Sequence, residues 1–130
     1  MNESPKEWRC RIPNFDLTSP NRMLRMHFAQ RSRLKRAIGV NLVAYSDDMP
    51  ELRPVIDLTI TRYYGYRKRA FDKDNLYGSS KLLIDAIKDF NIIPDDTPKH
   101  INLTVKQEKS PTRETFVEIE AKEADNIGVE

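Results

Sequence analysis

The chain reads as one small α/β domain built on a mixed sheet (an α+β arrangement), with elements in the order β-α-β-α-β-β. Its 130 residues fit the usual size of a single domain. Stretches with a two-residue hydrophobic period alternate with stretches of helical period, which places strands and helices in turn. Hydrophobic residues make up 38% and charged residues 32%, lean in apolar surface yet sufficient for one core.

Lys6 to Ile12 alternates Trp8, Cys10 and Ile12 and reads as a first strand. Pro13 and Thr18-Ser19-Pro20-Asn21 turn the chain. From Asn21, a suitable N-cap, to Tyr45 the pattern is helical, with Leu24, His27, Phe28, Leu34, Ile38, Leu42 and Tyr45 on one stripe. Arg31 and Lys35 intrude on that stripe, which predicts a kink near Arg31 and puts His27 in the core or an interface. Pro54 to Tyr64 is a β-branched strand, with Ile56, Leu58, Ile60 and Arg62 on one side and Val55, Asp57, Thr59 and Thr61 on the other. A second helix covers Leu76 to Phe90, its apolar stripe being Leu76, Leu83, Ile87 and Phe90; Gly78 weakens the first turn and defers regular helix to Ser79 or Ser80. Strands over His100 to Gln107 and Thr115 to Ala121 flank the Ser110-Pro111-Thr112 turn and read as a hairpin. The predicted domain therefore spans 1–121, followed by an acidic, frayed tail over 122–130.

Net charge is only +2, but it is segregated. Arg22, Arg25, Arg31, Arg33, Lys35 and Arg36 stand together with no acid between them, and Arg62, Arg67, Lys68 and Arg69 make a second basic run. Acids gather at Asp47, Asp48 and Glu51, between Asp72 and Asp96, and from Glu118 onward. That pattern predicts a basic surface for a polyanion with an acidic pocket beside it, although an ordinary solvated helix face would also account for Arg22 to Arg36. Cys10 is alone, so no intrachain disulfide forms and a reducing compartment is expected. No apolar run approaches the roughly 20 residues needed to cross a bilayer, and the N-terminus lacks a secretory h-region, so a cytoplasmic protein is expected.

The densest chemical signal is Asp72-Lys-Asp74-Asn75-Leu76, followed by Lys81, Asp85 and Asp95-Asp96. In extended backbone Asp72 and Asp74 point the same way, and two neighbouring carboxylates resist joint ionisation unless a cation lies between them. Such hard oxygen ligands favour Mg2+ or Mn2+. A helical wheel run backward from Leu83 and Ile87 places Asp74 near the angle of Lys81 and Asp85. A plain turn before a helix explains the same string, and Asp95-Asp96 is equally suited to a solvated turn. A calcium loop is excluded, because Leu76, Tyr77 and Leu83 fall where a ligand, a glycine and a bidentate glutamate are required. His100 has no zinc-like partner, and neither a glycine-rich phosphate loop nor a Ser/His/Asp set is present.

The elements Asp72-x-Asp74-Asn75-Leu76, Lys81-x-x-x-Asp85-Ala86 and Asp95-Asp96, with Ser19-Pro20-Asn21 near the N-terminus, resemble the RusA family of Holliday-junction resolvases. The resemblance implies a cytoplasmic, bacterial or phage-encoded homodimer that cuts four-way DNA junctions with Mg2+, Mn2+ being able to substitute. It assigns Asp72, Asp74 and Asp96 as metal-binding catalytic carboxylates, with Asp95 as the alternative to Asp96, and Lys81 as the catalytic lysine. An insertion around Tyr77-Gly78-Ser79 departs from the family pattern and bears on Lys81. Phosphate contacts are then expected from Arg22, Arg25, Arg33, Arg36, Arg67, Lys68 and Arg69. Two rival readings are a non-catalytic, dimeric branched-DNA-binding protein and a protein-interaction module whose basic helix meets an acidic partner.

Overall fold

The computed structural model describes residues 5–124. Four strands, β1 (Glu7–Ile12), β2 (Ile56–Tyr64), β3 (Ile101–Lys109) and β4 (Phe116–Glu123), form one mixed sheet in the order β1-β4-β2-β3. Four helices, α1 (Pro20–Arg25), α2 (Phe28–Ala44), α3 (Lys73–Ser79) and α4 (Lys81–Asp89), complete a single α+β domain.

Inward-facing residues meet across the sheet in rows: Cys10, Ile119, Ile60 and Val105 lie in register on four neighbouring strands. Together with Trp8, Ile12, Leu58 and Val117 they pack in one cluster with Ile38 and Leu42 of α2 and Leu83 and Ile87 of α4. Alternate residues face the other way and are mostly polar, with cross-strand ion pairs Arg9–Glu120 (2.9 Å) and Arg11–Glu118 (3.7 Å) and, at one end, the stacked rings of Tyr63 and Phe116. A one-residue shift of register would exchange these two sets, so the pattern fixes the pairing. Cys10 is buried, and burial pushes its thiol pKa up.

The predicted hairpin of the last two strands is not formed. β2 lies between them, parallel to β3 and antiparallel to β4. Hydrophobic alternation marks strands but not their neighbours, and residues 110–115 are long enough to step over one strand to a site ~10 Å away. That segment crosses the end of β2 at Gly65, where a Cβ would lie 2.4 Å from the Arg113 carbonyl oxygen. Tyr66 N–H donates to that same carbonyl at 3.1 Å, so only glycine permits the approach. The parallel β2–β3 pair in turn requires a long crossover, which α3 and α4 supply.

Both predicted helices are broken in two. The first starts one residue early, with Ser19 rather than Asn21 as N-cap (its Oγ accepts from Arg22 N–H at 3.2 Å) and Pro20 opening the first turn. It stops at Met26, where the backbone is extended, and α2 restarts with His27 as its cap. The break is thus at Met26-His27 and not at Arg31; Arg31 instead reaches back to donate to the Met23 carbonyl at 3.0 Å, which also accepts the Met26 backbone N–H that closes α1. Because the break resets the helical phase, Leu34, Ile38 and Leu42 turn inward while Leu24, Phe28 and Tyr45 are exposed, as is His27. The second predicted helix begins at Lys73, not Leu76, and ends at Ser79; Ser79 and Ser80 hydroxyls donate to the Leu76 and Tyr77 carbonyls there. Gly78 sits inside α3 because Pro20 approaches to 2.9 Å of where its Cβ would be. β4 runs on to Glu123, so the tail predicted from Lys122 does not start there, and the rest of that tail, residues 125–130, lies outside the described residues.

Candidate nucleic-acid interface and carboxylate site

The segment 65–72 joins the end of β2 to the start of α3, and its residues 66–70 are exposed. Arg67, Lys68 and Arg69 line a cleft of about 500 Å3 together with Arg22 and Ser19 at the start of α1. A second cleft of about 410 Å3 holds Arg22, Arg25 and Arg33, and the two share Arg22 and Leu34. Residues of the two basic runs, which are 26 positions apart in sequence at their nearest, thus share one concave cationic surface. Arg36 alone among the expected phosphate-binding residues is not on it; it borders a groove of Val40, Val43, Ala86 and Phe90 on α2 and α4.

Such a surface suits phosphates, whose contacts release counterions on binding. If duplex DNA is the polyanion, Arg67→Ala or Arg69→Ala is expected to weaken binding at every sequence and to lower the slope of log K against log salt by about 1. Fluorescence anisotropy across a salt series measures that slope.

Asp72 leads directly out of this cleft. It is the N-cap of α3, with Oδ1 accepting from Asn75 N–H at 2.8 Å and Oδ2 from the Asn75 side-chain amide at 3.2 Å. Asp74 lies in the first turn of α3, exposed. The chain is already helical at Lys73, so strand geometry does not align this pair as expected. What brings both to the same helix end is the capping position, where the dipole favours negative charge. Lys81 is exposed and opens α4, beyond the break at Ser80; the single helical wheel that put Asp74, Lys81 and Asp85 together therefore does not apply.

Asp95 and Asp96 follow α4 and close on Lys88, whose Nζ is 3.5 Å from Asp95 Oδ1 and 3.4 Å from Asp96 Oδ1. Asp95 also accepts the Asp96 backbone N–H at 2.8 Å, and this bond, with the nearby ammonium, holds its carboxyl below the ordinary range. Burial opposes the charge on Lys88, but the hydrogen bond and charge of Asp96, aided by Asp95 and Asp85, win and raise its pKa. The chemistry of Asp72, Asp74 and Asp96 suits a hard divalent cation. As arranged, however, Asp96 is committed to Lys88, and among the described residues no three His, Cys, Asp or Glu side chains form a group that could hold a metal ion.

Sequence reasoning missed the residues that organise this region. Arg62, counted with the surface cations, is a buried side chain at 2% exposure. Its Nε and Nη2 donate to the two carboxylate oxygens of Asp16 at 2.6 and 3.1 Å. Its Nη1 donates to the Arg69 carbonyl at 2.9 Å and to Gln107 Oε1 at 3.2 Å, and the guanidinium lies 3.8 Å over the Phe71 ring. A signal was available: Arg62 falls on the same side of β2 as Ile56, Leu58 and Ile60, and a buried cation demands an acidic partner. Among the described residues no helix is long and apolar enough to cross a membrane. A scan against protein-family models and a search of curated proteins each returned no match.

Proposed function

We propose that the chain is a divalent-metal-dependent endonuclease acting on branched DNA, resolving four-way junctions by paired nicks in recombination and repair. One observation supports this above the others: the Asp72/Asp74 pair emerges three residues after Arg69 from a concave surface built of both basic runs. The RusA-like motif read from the sequence agrees with that placement. Arginines and lysines of the clefts would hold the backbone phosphates, and Asp72, Asp74 and Asp96 are the carboxylates that would hold the ion, with Asp95 as the alternative third. The ion, when bound, supplies charge that polarises a phosphodiester and acidifies water. Lys81 is the remaining cation offered to the site. For Asp96 to take part, its 3.4 Å contact with Lys88 must open.

That contact also favours a second reading, a branched-DNA-binding protein without catalysis. A synthetic four-way junction, incubated with Mg2+ and separately with EDTA, distinguishes the two. Symmetric nicks that appear only with the metal are the expected result. Tight, junction-selective binding without nicks at any Mg2+ concentration would overturn the nuclease in favour of the binder. Equal affinity for branched and linear DNA would remove both and leave an interaction module.

Paired nicks need two copies of a single-site chain, related by a two-fold axis. The groove between α2 and α4 is the surface we assign to that contact. Val40 and Val43 are 68% and 54% exposed there, beside a Lys35–Asp89 ion pair (3.2 Å) that already links α2 to α4 within one copy, so it is the exposed apolar surface, bordered by the Arg36 cation, that a second copy would cover. Val40→Asp is expected to shift the protein from dimer to monomer in light scattering while the circular dichroism spectrum stays unchanged. A monomeric wild type would refute the assignment.

A further inference from the structure

Residues 66–70 form an exposed, cation-rich loop in which a regular backbone ladder is absent, and such a segment would ordinarily be mobile. At its end, however, Phe71 is held on both sides of its backbone. Its N–H donates to Gln107 Oε1 at 3.0 Å, and its carbonyl accepts from Gln107 Nε2 at 2.5 Å. The carboxamide of Gln107 thus does for Phe71 what the peptide of an adjoining strand would do. Gln107 is in register with Arg62 across the β2–β3 pair, and its Oε1 also accepts from the Arg62 guanidinium. Arg62 in turn fixes the Arg69 carbonyl and stacks on the Phe71 ring. Two side chains from the sheet therefore set the backbone at Arg69 and Phe71, the last stretch of the cationic cleft before Asp72.

The residue type matters. An acceptor and a donor must be presented side by side, at the length of a three-carbon side chain, and glutamine alone supplies this: glutamate lacks the donor, and asparagine is one carbon short. We propose that Gln107, backed by Arg62, is the positioning residue of the candidate site, placing the Asp72 carboxylate and the Arg69 cation in fixed relation to one another. This inference rests on the nuclease reading for its consequence, but not for its geometry. Misplacement of a reacting group by about 1 Å can cost around 100-fold in rate, so loosening Phe71 acts on turnover and leaves phosphate contacts, and hence affinity, largely intact.

The test uses the full chain with Gln107→Met, close in shape but without either polar group, and Gln107→Glu, which keeps the acceptor. Amide hydrogen exchange by NMR reads the geometry, with Ile60 of the core strand as a folding control. In Gln107→Met, Phe71 N–H is expected to exchange at least roughly ten times faster while Ile60 is unchanged. Single-turnover cleavage of a saturating four-way junction in Mg2+ is expected to slow by about 10- to 100-fold, with junction affinity in EDTA within twofold. Gln107→Glu should fall between the variant and wild type in both readouts. Unchanged exchange at Phe71 overturns the clamp, and so does wild-type cleavage by a variant whose Phe71 has been loosened. If wild type itself leaves the junction intact, the nuclease reading fails, and the clamp is judged on exchange alone.

Discussion

Asp72→Asn is expected to lower junction cleavage by roughly 10³-fold, the loss that follows when several kcal/mol of metal-assisted stabilisation are removed. The fold should hardly notice the change. Asp72 caps α3 by accepting the Asn75 N–H at 2.8 Å, and asparagine caps about as well as aspartate. Asp72→Ala, in contrast, loses the cap too and is expected to cost about 1 kcal/mol of stability in addition. The pair of variants separates a carboxylate that acts on substrate from one that merely ends a turn. Asp74, exposed in the first turn, has no capping bond to lose, so Asp74→Asn should match Asp72→Asn in activity. Junction affinity in EDTA should be kept or tightened in both, since a negative charge near phosphates is gone. Cleavage by Asp72→Asn at the wild-type rate would sink the assignment of this helix end as the reactive site.

Arg62→Met should produce the largest loss of stability of any single polar change in the molecule, about 3 kcal/mol. Removing one partner of a buried ion pair typically costs 3–5 kcal/mol, because the other charge is left uncompensated. Two features place this case at the low end. The Asp16 side chain is 20% exposed, and Lys68 Nζ lies 3.4 Å from its Oδ2, so water and a second cation take up part of the deficit. The second substitution makes the argument sharper: Arg62→Met with Asp16→Leu removes both charges and is expected to recover part of the loss, since apolar replacement of a buried pair is often near neutral. Urea unfolding of wild type and the two variants reads this directly. A single variant within about 0.5 kcal/mol of wild type, the range of ordinary surface substitutions, would mean that the Arg62–Asp16 link contributes little to the fold.

Much of the fold was legible because the signal is local. Ile56, Leu58 and Ile60 alternate as a strand must, and Leu83 and Ile87 recur as a helix must, whatever their neighbours do. The segregated cations were legible too: Arg22, Arg25, Arg33, Arg67, Lys68 and Arg69 line the two joined clefts. Arg36 lies instead at the α2–α4 groove. The inward stripe was drawn in the wrong phase, because the interruption at Met26-His27 resets it. The same interruption leaves Leu24 and Phe28 at 81% and 84% exposure on what looked like an inward stripe.

Strand neighbours were not legible. The short link between β3 and β4 favours a hairpin on sequence grounds, yet β2, whose Ile56, Leu58 and Ile60 are fully buried, occupies the central place between them with a paired strand on each edge. Nor was the partnership of Asp16, Arg62 and Gln107 visible, since the members lie 46 and 45 positions apart. By itself the sequence determined which segments are strands and helices, and that a carboxylate pair follows a basic run, because period and charge are properties of adjacent residues. Only the tertiary structure decided which strand lies beside which, that two cationic runs make one surface, and that Asp96 turns to Lys88, because those outcomes depend on distances between residues far apart along the chain.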